Sequence, residues 1–263
     1  MVMHDIRSNK GYFSFGESEK IEYITILENK FLPKEVLALP RLKRWMTPFE
    51  EDVKVKVNGE PVGSIFELIL MLYLTSNYEL AISYPYQTKH TMKINNDLYE
   101  FGDYNKIDYI KKLENECLPE EVIGKSRIEK WTTPFKEDKN VVINGCKVNT
   151  ILDTIIMLYT GTVYAASSKY AFIECGGYLN HIILMGDELK KFQDEQKTYY
   201  IVKLETKCLR NDSNLPKLIR PFSKKVKING QDVENILEAI LMLYLSTRYR
   251  EGEKPYGKCK NFY

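Results

Sequence analysis

Apolar and polar positions follow one pattern three times along this chain. In "VKVNGEPVGSIFELILMLYL", residues 55–74, apolar and polar positions alternate up to Asn58-Gly59, and from Ile65 to Leu74 every residue except Glu67 is apolar or aromatic. "VVINGCKVNTILDTIIMLYT" at 141–160 and "VKINGQDVENILEAILMLYL" at 226–245 repeat the phrase. Alternation predicts a short strand, and a near-continuous apolar run predicts a helix buried on several sides. Asn-Gly between strand-like residues predicts a type I′ hairpin turn, because both of its central positions need positive φ.

The spacing makes this an internal repeat. Asn58, Asn144 and Asn229 lie 86 and 85 residues apart, Met71, Met157 and Met242 follow at one offset, and Tyr78, Tyr164 and Tyr249 at another. Upstream, Tyr23-Ile24-x-x-Leu27-Glu28 recurs as Tyr109-Ile110-x-x-Leu113-Glu114 and Tyr200-Ile201-x-x-Leu204-Glu205. Two phrases in one order define three degenerate tandem units of about 86 residues, at 1–88, 89–174 and 175–263.

Each unit is expected to hold a β-hairpin, an amphipathic helix, a Pro-containing connection, a short hairpin with an Asn-Gly turn, and the apolar helix. The opening hairpins are placed around Asn95-Asn96-Asp97 and Gly176-Gly177. Phe15-Gly16 and Phe101-Gly102 are matched to Met185-Gly186, with "ELKKFQD" as an insertion in the third unit. The fold class is α+β. An 86-residue unit is small for burying such a helix alone, so the three helices are expected to pack about a pseudo-threefold axis, with self-association through an apolar helix face as the alternative.

Three recurring acids have a structural explanation. Ser64, Thr150 and Asn235 are helix N-caps, and Glu67, Asp153 and Glu238 three residues later complete capping boxes by reaching back to the cap residue's own N–H. A phosphate loop would need several glycines and a Lys at the helix start, which these turns lack.

Composition narrows the function classes. With 38 basic and 36 acidic residues the chain is nearly neutral, which by itself indicates no polyanion partner. From Gly186 onward, however, sixteen Lys and Arg face eleven Asp and Glu. Five cysteines without CxxC spacing suit a reducing, intracellular setting. The apolar runs are about ten residues, half of what a membrane span needs, so no membrane partner is expected.

Candidate chemistry is sparse. None of the three histidines sits in a metal-ligand spacing, so no metal or other cofactor is assigned. His4 and His90 lie 86 apart, and Glu174 is matched to them in the third unit. Glu28, Glu114 and Glu205 read as solvated or ion-paired surface residues of their helices. The connecting segments hold Trp45, Phe49, Trp131, Phe135 and Phe222, either core anchors or exposed anchors for a partner, flanked by Arg41, Arg44, Arg127 and Lys130. The stretch 203–227 carries eight basic and two acidic residues, among them Lys217, Arg220, Lys224, Lys225 and Lys227, which suit phosphates or an acidic partner. With no catalytic constellation and no assigned catalytic residue, the sequence favours a non-enzymatic, intracellular protein-interaction protein that sequesters or blocks a partner. Nucleic-acid binding through 203–227 is the alternative, and an enzyme with a site between units the third reading.

Overall fold

A computed structural model describes residues 3–76, 89–161, 180–210 and 214–247. Tyr78, Tyr164, Tyr249, Glu174 and the turn at Gly176-Gly177 lie outside them. The chain divides into two compact bodies, one formed by residues 2–77 with 89–162 and the other containing the third sheet and its helices.

The described residues form a mixed α+β fold of eight α-helices and three four-stranded antiparallel sheets at roughly 90-residue spacing, consistent with three similar units. The first unit contains β1 (Met3–Ser8), β2 (Gly11–Gly16), α1 (Lys20–Phe31), α2 (Arg41–Met46), β3 (Val55–Val57), β4 (Glu60–Val62) and α3 (Ile65–Leu74). The second contains β5 (Lys89–Ile94), β6 (Asp97–Gly102), α4 (Lys106–Cys117), α5 (Arg127–Thr132), β7 (Val141–Ile143), β8 (Cys146–Val148) and α6 (Ile151–Thr160). The third contains β9 (Asn180–Met185), β10 (Glu188–Gln193), α7 (Lys197–Cys208), β11 (Val226–Ile228), β12 (Gln231–Val233) and α8 (Ile236–Leu245). The sheets share one order, β2-β1-β3-β4, β6-β5-β7-β8 and β10-β9-β11-β12, so the two hairpins of each unit join edge to edge through their first strands.

The Pro-containing connections of the first two units hold the short helices α2 and α5, which carry Trp45 and Trp131. One sequence expectation is corrected here, the register of the third unit. His181 pairs with Phe192 across β9 and β10, as His4 pairs with Phe15 and His90 with Phe101. "ELKKFQ" is therefore the second strand of the hairpin rather than an insertion, and Gly186 lies in its turn. Strands β5 and β9 begin 86 and then 91 residues after their predecessors, so the extra length precedes β9. Matching on Phe-Gly failed because Gln193 stands where Gly16 and Gly102 stand.

The Asn-Gly turns adopt positive φ at both positions: 47° and 92° at Asn58-Gly59, 48° and 82° at Asn144-Gly145, 48° and 85° at Asn229-Gly230. The asparagine does more than turn the chain. Asn58 donates its backbone N–H to Asp5 O at 2.7 Å and accepts from Asp5 N at its side-chain Oδ1 at 2.8 Å, extending the β1–β3 ladder by one residue. Asn144 does the same with Thr91 and Asn229 with Ile182. Asn58 Nδ2 also donates to Thr75 Oγ1 at 2.7 Å and Asn229 Nδ2 to Ser246 Oγ at 2.6 Å, tying the hairpin turn to the end of the apolar helix.

The caps form as the sequence implies, with Ser64, Thr150 and Asn235 accepting from the N–H groups of Glu67, Asp153 and Glu238. The acids reach one residue further back than the capping-box pattern predicts, accepting from Gly63 N, Asn149 N and Glu234 N. Every residue of α3 and α8 is buried. No helix among the described residues is long and apolar enough to cross a membrane.

Replacing Asn58 with Ala removes the side-chain bonds to Asp5 N and Thr75 Oγ1 and puts a residue that tolerates positive φ less well than Asn in the turn. The expected loss is about 2–3 kcal/mol of stability, measured by urea unfolding, with Asn58→Gly losing less because it keeps the backbone freedom.

Candidate functional site

All three histidines stand at the same place in their units, on the inward side of the first strand, and each meets an acid thirteen residues later. His4 Nε2 lies 2.5 Å from Glu17 Oε1, His90 Nε2 3.2 Å from Asp103 Oδ1, and His181 Nε2 3.1 Å from Asp194 Oδ1. The other carboxylate oxygen accepts from a lysine one helical turn on: Lys20 at 2.5 Å, Lys106 at 2.7 Å, Lys197 at 2.6 Å. On the far side of the ring, His4 Nδ1 is 3.3 Å from Ser76 Oγ and His181 Nδ1 is 3.2 Å from Thr247 Oγ1. Phe15, Phe101 and Phe192 lie against these imidazoles and stack in turn on Tyr23, Tyr109 and Tyr200.

A hydroxyl, an imidazole and a carboxylate in line resemble the parts of a nucleophilic triad, but access decides against that use. The histidines are 0% exposed and the lysines at most 1%, so no substrate can reach them. Burial lowers the ammonium pKa of Lys20 and Lys106, only partly offset by Glu17 and Asp103 respectively. Burial likewise works to raise Asp194, but the Lys197 charge and the bonds from His181 and Lys197 outweigh it and hold the carboxyl at about 2, down from 3.8. These are structural charge clusters.

The clusters of the first two units are joined. Lys106 Nζ donates to Ser76 O at 2.9 Å and lies 4.2 Å from the centroid of the Tyr73 ring, while Ser76 Oγ meets His4. Tyr73 in turn packs edge-on against Tyr159 of α6, 5.5 Å between centroids. At the same boundary Arg127 donates to Pro61 O and lies 3.7 Å from Glu67, and Lys111 pairs with Glu60 at 2.9 Å.

The connecting-segment candidates are thereby accounted for. Trp45 and Trp131 are each 2% exposed, and their indole N–H groups donate to Glu28 and Glu114. Phe49, Phe135 and Phe222 are buried as well. These rings offer no exposed anchor to a partner, and Glu28, though ion-paired with Arg44, is a buried acceptor rather than a surface residue. Arg44 pairs with Glu28 at 3.3 Å, Arg41 lies over the Trp45 ring, and Lys130 is 3.9 Å from Glu114.

The third unit departs from this scheme in its loop before β11. Phe49, Phe135 and Phe222 are equivalent, each donating its N–H at 2.8 Å to the carbonyl just after the second short strand. Between that Phe and the next strand the first two units have five residues, "EEDVK" and "KEDKN", and the third has three, "SKK". Net charge moves from −2 through 0 to +2, and the buried Val53 of the first loop has no counterpart. Asn9 and Asn95 bind the longer loops through their side chains, whereas Gly186 offers only its backbone N–H to Lys225 O.

Beside this shorter loop lies a groove of about 380 Å³ whose lining includes Arg210, Phe222, Lys224, Lys225, Asp232 and Glu234. Lys225 and Lys227 lie 3.9 and 3.2 Å from Asp232. Lys217 is 4.0 Å from Glu205, and Arg220 folds back on Leu215 O. Of the candidates in 203–227, then, Phe222, Lys224 and Lys225 come together, joined by Arg210, which the sequence reading did not single out.

The sequence reading missed the buried clusters. A signal existed: each histidine stands thirteen residues before an acid and sixteen before a lysine, but the mismatched third register hid His181. No cluster of three or more His, Cys, Asp or Glu side chains suited to a metal ion occurs among the described residues. Comparison with protein-family models, curated proteins and solved structures finds no match.

Lys197→Met strands the Asp194 carboxylate in the core and is expected to cost about 3–5 kcal/mol, with part recovered in the Asp194→Leu/Lys197→Met double variant, measured by denaturant unfolding. The depressed Asp194 carboxyl stabilises fully above about pH 4, and that contribution, roughly 2 kcal/mol, is lost as pH falls through about 2. Acid titration of stability should accordingly be flatter in Asp194→Asn.

Proposed function

We propose that this chain is a non-enzymatic, intracellular protein-interaction protein that sequesters or blocks a partner through its third unit. The observation that carries this reading is the loop before β11, where lost length, reversed charge and an open groove coincide at Lys224 and Lys225. A solvent-facing change of that kind is unnecessary for the fold, since the longer acidic loop serves the first unit.

The three units are, in the same proposal, degenerate tandem copies. Their common sheet order and the recurring His, acid and Lys positions support it. The free thiols Cys117 and Cys208, with pKa values raised by burial, are in keeping with a reducing setting.

Nucleic-acid binding through 203–227 has less support. Phe222, the sole aromatic of the stretch, is buried and gives no stacking platform for a base. The enzymatic reading has least, because His90 is sealed against Asp103 and Glu205 lies on the surface beside Lys217.

The test is affinity capture from native lysate with nuclease-treated and untreated arms, using the wild-type chain and Lys224→Glu/Lys225→Glu. Protein capture that survives nuclease and falls about tenfold in the variant is expected. Capture abolished by nuclease would replace this reading with the nucleic-acid one.

A further inference from the structure

The outward face of the third sheet differs from those of the other two. Alternation along β9 points His181, Ile183 and Met185 inward, all at most 3% exposed, and turns Ile182 and Leu184 outward. Leu184 pairs with Leu189 of β10 and with Lys227 of β11, and Ile182 pairs with Lys191. Ile182 is 38% and Leu189 58% exposed.

At the positions of Ile182, Leu184, Leu189 and Lys191 the first sheet carries Asp5, Arg7, Tyr12 and Ser14, and the second Thr91, Lys93, Leu98 and Glu100. The first set satisfies itself, since Tyr12 donates to Asp5 at 2.8 Å and Arg7 lies over the Tyr12 ring. The third set cannot. Its three aliphatic side chains make a strip with no polar group of its own, and water is displaced from such a strip only by another apolar surface.

Cations flank the strip. Lys191 lies beside Ile182, and Lys227 lies beside Leu184. Beyond Lys227, across Asp232, is the groove with Lys225, Lys224 and Arg210. Asp232 is common to both features, as its side chain meets Lys227 on the sheet face and also lines the groove. Counting Asp232 and Glu234 against these five cations leaves the combined surface at net +3.

We infer that strip and groove form one docking surface, and that its occupant is an acidic, amphipathic segment of another protein. Its apolar side chains would cover Ile182, Leu184 and Leu189, and its carboxylates would face Lys191, Lys224, Lys225 and Arg210. Charge complementarity selects this occupant: aliphatic burial alone would accept any apolar segment, whereas cations on both flanks reject a basic one. The outward positions of this sheet include no aromatic ring on which a base could stack. This inference rests on the third-unit binding reading given above and names the partner's chemistry.

The test uses the full chain and a fluorescein-labelled peptide of alternating Leu and Glu, with Leu–Lys and Ser–Glu peptides, a single-stranded oligonucleotide and phosphatidylserine vesicles as comparison arms. The expected result is saturable binding of the Leu–Glu peptide, at least about tenfold tighter than of either comparison peptide. Leu189→Glu, an exposed position whose folding is checked by circular dichroism, should weaken it about tenfold, and Lys224→Glu/Lys225→Glu should do so as well. Equal affinity for the three peptides, indifference to Leu189→Glu, or tighter binding of the vesicles or the oligonucleotide would overturn the inference. If nuclease-resistant capture still depends on Lys224 and Lys225 while the Leu–Glu peptide fails to bind, the partner chemistry is wrong and the third-unit reading stands. If neither depends on them, both fall.

Discussion

A lysine ammonium held out of water beside a carboxylate is the constraint around which each unit is arranged. An isolated buried charge costs several kcal/mol, so a fully buried lysine persists only where opposite charge and hydrogen bonds surround it. Here the acid accepts from both the lysine and a histidine of the first strand. The cluster therefore fixes three elements at once: the strand that carries the histidine, the turn that carries the acid and the helix that begins with the lysine. The apolar helix is drawn in where Ser76 or Thr247 meets the imidazole.

In the first body the same chemistry joins two units. Lys106 meets its own Asp103, the Ser76 carbonyl and the Tyr73 ring face, so one ammonium is shared between two units. Arg127 adds a second tie at Pro61 and Glu67, which gives the capping acid Glu67 a role in packing as well as in its helix. Polar groups that fail to find partners are penalised more than formed bonds are rewarded. Such ties thus set which surfaces fit together more than they add stability.

The parts that differ between units are those the clusters do not restrain. The loop before β11 touches the sheet through one backbone hydrogen bond in the third unit, where the first two use an asparagine side chain, and it has lost two residues and reversed its charge. The outward strand positions changed from self-paired Asp5, Arg7 and Tyr12 to Ile182, Leu184 and Leu189. Inward positions, held by packing on the helices, kept their character: His, Phe and an aliphatic residue recur in all three sheets.

The sequence by itself determined the Asn-Gly turns, the helix caps and the buried helices. Each follows from local chemistry: positive φ, unpaired N–H groups at a helix start, and apolar runs too continuous for a surface. The tertiary structure alone decided what long-range contact controls. That includes the joining of two hairpins through β1, the side-chain bonds that make Asn58 part of a ladder, and the true register of the third hairpin. It also includes the pairing of His4 with Glu17 and Lys20, residues whose meaning depends on being inside together. The groove belongs to the same category, because Arg210 lines it with Lys224 and Lys225 only once the bridge between Leu209 and Phe222 and the bond from Arg210 N–H to Pro221 O bring the two segments side by side.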